Sequence, residues 1–116
     1  MRVLIVEDEE HLREGLRALI EKMGHQVTVA SDGEEGLAAV QAVAFDLIVS
    51  DFNMPRKTGL ELHAALDSRM QERFMLYTAD LDALRDAPAG VHRLPKWSSV
   101  SELRATLQTL LEGCDG

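Results

Sequence analysis

The stretch "LIVSDFNMPRKTG", Leu47 to Gly59, decides the fold of this chain. Its opening residues are apolar in succession, as in a strand covered on both faces and therefore in a parallel sheet. The run ends on a single acid, Asp51, and breaks into Asn53, Met54 and Pro55. A second stretch, "VLIVEDEE" from Val3 to Glu10, repeats the pattern and ends on Glu7 and Asp8. Val27 to Ala30, Phe74 to Tyr77 and Val91 to Leu94 complete five expected strands.

Helical patterns lie between the strands. Leu12, Leu16, Leu19, Ile20 and Met23 recur at helix spacing, with Gly24 as a stop. Ser31 and Glu34 have capping-box spacing before a second helix through Leu37 and Val40. A third helix follows Gly59 through Leu60, Ala64 and Leu66. A short fourth spans Asp80 to Ala87, ending before Pro88. Ser99 and Glu102 open a fifth, marked by Val100, Leu103, Leu107 and Leu110. Five alternations of strand and helix, joined by connections too long for hairpins, imply a doubly wound α/β domain with five parallel strands flanked by five helices. The expected boundaries are residues 1–112 for the domain and 113–116 for a tail or the start of a linker.

The chain has 116 residues and a formal net charge of −8. An acidic surface repels nucleic-acid phosphates and suits a cation or a basic partner. The single cysteine, Cys114, forms no internal bridge. No apolar run reaches membrane-spanning length. These features point to a soluble, cytoplasmic protein that binds neither nucleic acid nor membrane directly.

In an open α/β sheet, ligands sit beyond the carboxyl ends of the strands. The first strand delivers Glu7 and Asp8 to that edge, the third Asp51, the fourth Thr78 and the fifth Lys96. Each has an ordinary reading alone: an acid at a strand end caps a helix, a threonine bonds backbone, a lysine is solvated. Together they suggest a phosphoryl site. Three carboxylates need a hard divalent cation between them, and magnesium takes oxygen ligands from one or two of them. Asp51 would be the nucleophile, and Asn53 is placed to offer its backbone carbonyl to the metal. Lys96 and the metal would offset phosphoryl charge, and Thr78 would donate a hydroxyl.

"VLIVEDEE", "DLIVSDFNMPRKTGLEL", "LYTA" and the late lysine together resemble the receiver (CheY-like) domain of two-component response regulators. The resemblance covers essentially the whole chain. It implies a flavodoxin-like strand order of 2-1-3-4-5 and a Mg2+-dependent phosphorylatable switch. Asp51 would be the phosphoacceptor, supplied by a sensor histidine kinase or histidine phosphotransfer protein. Asp8 would be the more direct magnesium ligand, with Glu7 acting through water and Asn53 through its carbonyl. Thr78 would follow the phosphoryl group and Lys96 would pair with it. A downstream output domain or partner and a phosphorylation-dependent homodimer are also implied.

Three features depart from the family pattern. The order Pro95-Lys96-Trp97 replaces the usual Lys-Pro, so Lys96 is expected to sit differently. Arg93 occupies the position of an aromatic residue that rotates on activation. The segment from Thr78 to Lys96 is about one helical turn short. The last two suggest an alternative, a pseudo-receiver that binds partners without regulated phosphorylation. A turnover hydrolase acting through a phosphoaspartate would need an acid where Asn53 stands. A flavin-binding domain would need a phosphate-cradling loop where Glu7 to Glu10 stand. His11, His25 and His63 read as surface or capping residues, Met54 and Tyr77 as core, and Arg56 and Lys57 as a solvated pair or a steering patch. Trp97 reads equally as a cover for the site or as a surface side chain.

Overall fold

A computed structural model describes residues 1–112; the expected tail at 113–116, with Cys114, lies outside the described residues. Five strands, β1 (Arg2–Val6), β2 (Gln26–Ala30), β3 (Leu47–Ser50), β4 (Phe74–Thr78) and β5 (His92–Pro95), form one parallel sheet in the order β2-β1-β3-β4-β5. The helices are α1 (Glu10–Lys22), α2 (Gly33–Ala42), α3 (Gly59–Ala65), α4 (Ser68–Gln71), α5 (Leu81–Asp86) and α6 (Val100–Glu112). The expected strand order holds. Among the described residues the helices number six and not five, because the single turn α4 forms where Asp67 caps Met70 and gives no periodic apolar signal.

Alternation along the strands divides the core in two. Val3 and Ile5 of β1, Val49 of β3, and Met75 and Tyr77 of β4 pack with Leu16 and Ile20 of α1 and Leu103, Leu107 and Leu111 of α6. The intervening residues Leu4, Val6, Ile48, Phe74 and Leu76 face the other side, with Leu62 of α3, Met70 of α4 and Ala83 of α5. Doubly covered strands explain the unbroken apolar runs. Among the described residues no helix is long and apolar enough to cross a membrane.

Local chemistry sets the helix ends. Gly24, with φ of +95°, closes α1: its N–H donates to the Glu21 carbonyl and that of His25 to the Ile20 carbonyl. Thr58 and Glu61 form a reciprocal capping box at α3. At α2 the expected Ser31–Glu34 box is displaced by one residue. Asp32 is the cap, accepting from the Glu35 N–H, and Ser31 donates instead to the Glu35 carboxylate. Asp32 is buried, and its carboxylate accepts more strongly than a hydroxyl. The expected fourth helix is the six-residue α5, with Asp80 and Ala87 as its caps. Strand β5 runs one residue later than its apolar residues indicate and ends on Pro95, which an edge strand tolerates.

Candidate phosphoryl-transfer site

Register brings the acids together. Val6 of β1 pairs with Ser50 of β3, and the Asp51 N–H donates to the Val6 carbonyl at 3.0 Å. Glu7 and Asp8 therefore leave β1 beside Asp51 as it leaves β3. Oxygens of Glu7, Asp8 and Asp51 lie within 4.8 Å of one another. Asp51 is 7% exposed, and its Oδ1 accepts from the Phe52 N–H at 2.7 Å. The Ser50 hydroxyl donates to the Asp51 carbonyl, and the carbonyl of Phe52 accepts from the Gly59 N–H. A Cβ at Gly59 would collide with the Asp51 carbonyl, so glycine is required where the loop closes behind the carboxylate. A Cβ at Gly33 would likewise meet Lys57, which seats the start of α2 against the same loop.

Lys96 reaches the cluster despite the unusual Pro95-Lys96-Trp97 order. The Lys96 N–H continues the β4–β5 ladder onto the Thr78 carbonyl at 3.0 Å, and its ammonium donates to Asp51 Oδ2 at 2.9 Å. The same Nζ stands 2.6 Å from Glu7 Oε1. That contact is a short ion pair to a buried carboxylate. Burial, outweighing the ammonium and helped by the Asp51 charge, pushes the Glu7 carboxyl up to about 7. Burial pulls the Lys96 ammonium down, but Glu7 and Asp51 together hold it above its ordinary value.

Magnesium fits this donor set. The oxygens are hard, two of the carboxylates are buried and one, Asp8, is exposed to incoming solvent. The Lys96 ammonium offsets only part of the charge that three carboxylates can carry, and a divalent cation would offset the rest.

Thr78 ends β4 fully buried, with its hydroxyl accepting from the Asp80 N–H at 3.2 Å. The Asn53 side-chain amide donates to Asp80 Oδ2 at 3.1 Å. Asp80 was legible in sequence only as the start of a helix; its bond to Asn53 joins residues 27 apart and needs the sheet. Arg13 is a further addition, donating from α1 to the Glu7 carbonyl at 3.0 Å. Met54 and Tyr77 are buried, as expected. His63 packs edge-on against Phe74, and His25 contacts the amino terminus. Arg56 adopts φ of 71° and pairs with Asp32 and Glu34, while Trp97 is 62% exposed and behaves as a surface residue.

The response regulator receiver domain family matches residues 3–108. The transcriptional activator protein PfeR of Pseudomonas aeruginosa is 40% identical over 115 residues, covering 95% of this chain and 37% of that protein. The response regulator MprA of Mycobacterium avium is 34% identical, covering 96% of this chain and 51% of its own length. The chain thus spans about a third to a half of these relatives. Among solved structures, the response regulator TrrA of Thermotoga maritima, in complex with Mg(2+)-BeF, superposes with a TM-score of 0.85 at 27% identity, covering 94% of this chain and 97% of that one. The chemotaxis protein CheY4 of Vibrio cholerae superposes at 0.78 with 31% identity, covering 94% and 97%. With its sheet order, its acidic cluster and these relatives in agreement, the chain belongs to the receiver domain family of two-component response regulators.

Proposed function

We propose that this domain, residues 1–112, is a phosphorylatable switch that takes a phosphoryl group from a phosphohistidine onto Asp51. The observation that carries this reading is the buried Asp51 carboxylate, held at one oxygen by the Phe52 N–H and at the other by the Lys96 ammonium, beside Glu7 and Asp8. An Asp51 oxygen would attack phosphorus as the phosphorus–nitrogen bond of the donor breaks. The bonding pair leaves with the imidazole nitrogen, which takes its proton from water. Magnesium, held by Asp8, Asp51 and the Asn53 carbonyl with Glu7 through water, would supply positive charge opposite the phosphoryl oxygens.

Lys96 would then transfer its contact from Asp51 to a phosphoryl oxygen. The Thr78 hydroxyl would leave the Asp80 N–H to donate to another. The phosphoryl group adds a charge of about −1.5 to −2, enough to bias the Thr78–α5 segment between two arrangements. The chemistry is performed on the protein itself and reversed by slow hydrolysis, so the domain is a switch and not a turnover enzyme. A sensor histidine kinase or histidine phosphotransfer protein is the proposed donor. A cytoplasmic setting and an output domain or partner protein complete the reading.

One observation favours a second reading, a fixed binding module: Arg93, at the expected aromatic position, is engaged in hydrogen bonds. Beryllofluoride with magnesium separates the two. Binding to wild type and not to Asp51→Asn, followed by fluorine NMR, is expected of the switch. Absence of binding to wild type would establish the fixed module instead.

A further inference from the structure

Helix α5 is short and carries a defect at its carboxyl end. In an uninterrupted helix the Leu84 carbonyl would accept from the N–H four residues on, but that residue is Pro88, which has none. Ala87 has already left helical geometry, with ψ of 142°, as residues before proline do. Several carbonyls of this turn therefore lack helical partners.

The Arg93 guanidinium fills that gap from the neighbouring strand β5. Its Nη1 donates to the Leu84 carbonyl at 2.7 Å, and its Nη2 to those of Ala87 at 3.2 Å and Pro88 at 3.0 Å. Its Nε donates to the Val91 carbonyl at 3.3 Å. A planar fork with five fixed donors suits such a group of acceptors, whereas an ammonium has no comparable reach. The side chain is half-buried, and turning it away would remove the donors it supplies to the Leu84 and Ala87 carbonyls, while the Pro88 carbonyl would keep the Val91 N–H.

The amino end of α5 is held differently. Asp80 accepts from the Ala83 N–H as a cap, accepts from the Asn53 side chain, and donates its own N–H to the Thr78 hydroxyl. Both of the last two partners belong to the phosphoryl site. One end of the helix is thus pinned to an edge strand by a residue outside the acidic cluster. The other end is tied to groups that the chemistry would rearrange.

We propose that Arg93 is a clamp that makes α5 a lever hinged at its carboxyl end, so that the Asp80 end moves when the site changes state. The aromatic rotation implied at this position is replaced by a fixed guanidinium. The clamp stands on contacts in the unmodified chain; the lever rests on the switch reading above.

Amide hydrogen exchange resolved by NMR on the full chain tests both. In unmodified protein, the Ala87 and Val91 amides, which donate to the Ala83 and Pro88 carbonyls, should be protected. Arg93→Ala should speed their exchange about tenfold or more, with Arg93→Lys intermediate, while amides of β1 and β3 stay unchanged. Exchange at Ala87 and Val91 within about twofold of wild type in both variants would overturn the clamp. With beryllofluoride and magnesium, wild type should change exchange at Asp80 and Ala83 and leave Ala87 and Val91 nearly constant. Equal changes at both ends would overturn the lever. If beryllofluoride fails to bind wild type, the switch reading and the lever fall together, while the unmodified-state comparison still decides the clamp. Should Arg93→Ala not fold, Arg93→Lys carries the same comparison, because it keeps the charge and loses the fork.

Discussion

Burial raises the Glu7 carboxyl to about 7 from an ordinary value of 4.5, and the Asp51 charge adds to the rise. Between those two pH values the folded, metal-free chain holds a proton at Glu7 that the unfolded chain has released. Folding is therefore favoured by this group at low pH, and the contribution declines as pH rises from about 4.5 through about 7. Glu7→Gln, which stays neutral, should flatten that decline and leave the protein more stable than wild type above neutrality. Urea titrations across pH in the presence of a chelator measure this, and an unchanged slope in the variant would contradict it. The same residue shows what a chain of letters hides. Two adjacent acids, Glu7 and Asp8, look equivalent in sequence, yet one side chain is buried against Lys96 and the other is exposed.

At the scale of elements, the four helices packed on the Leu4 face of the sheet each begin with a side chain that accepts from an early amide: Asp32 for α2, Thr58 for α3, Asp67 for α4 and Asp80 for α5. Thr58 is the most instructive, because its capping box is reciprocal and directly precedes Gly59, which closes the loop behind Asp51. Thr58→Ala should lower the unfolding free energy by about 1 kcal/mol, read as a shift in the urea midpoint at constant slope. A loss within error of zero would show that water replaces the cap. These starts were partly legible. The Ser99–Glu102 spacing marks a true helix start, with the Glu102 N–H donating to the Ser99 hydroxyl at 3.1 Å. The Ser31–Glu34 spacing does not, because Asp32 offers a stronger acceptor one residue later and sequence spacing alone does not rank the two. The turn α4 went unseen because four residues carry too little periodicity to register.

For the molecule as a whole, the proposed metal links the site to global stability. A ligand that binds only the folded chain stabilises it by mass action, about 2.7 kcal/mol at a hundredfold excess over its dissociation constant. Magnesium should therefore raise the thermal midpoint of wild type and leave that of Asp8→Asn almost unmoved. Differential scanning calorimetry with and without magnesium checks this, and an equal rise in the variant would place the ion elsewhere. The two-sided core explains why a local event would be felt at a distance. Thr78 and Tyr77 are adjacent on β4, yet Tyr77 packs into the α1–α6 side while Ala83 of α5 anchors the other.

The five parallel strands, their double covering and the collection of Glu7, Asp8, Asp51, Thr78 and Lys96 at one edge were determined by sequence alone. Apolar runs and helical periodicity are local signals, and parallel strands necessarily present their carboxyl ends together. Only the tertiary structure decided that Lys96 meets Asp51 across 45 residues, that Glu7 is desolvated, that Asn53 bonds Asp80 and that Arg93 completes the end of α5. Each of these depends on register between strands distant in the chain and on the water excluded when they pack, and neither quantity resides in any short segment.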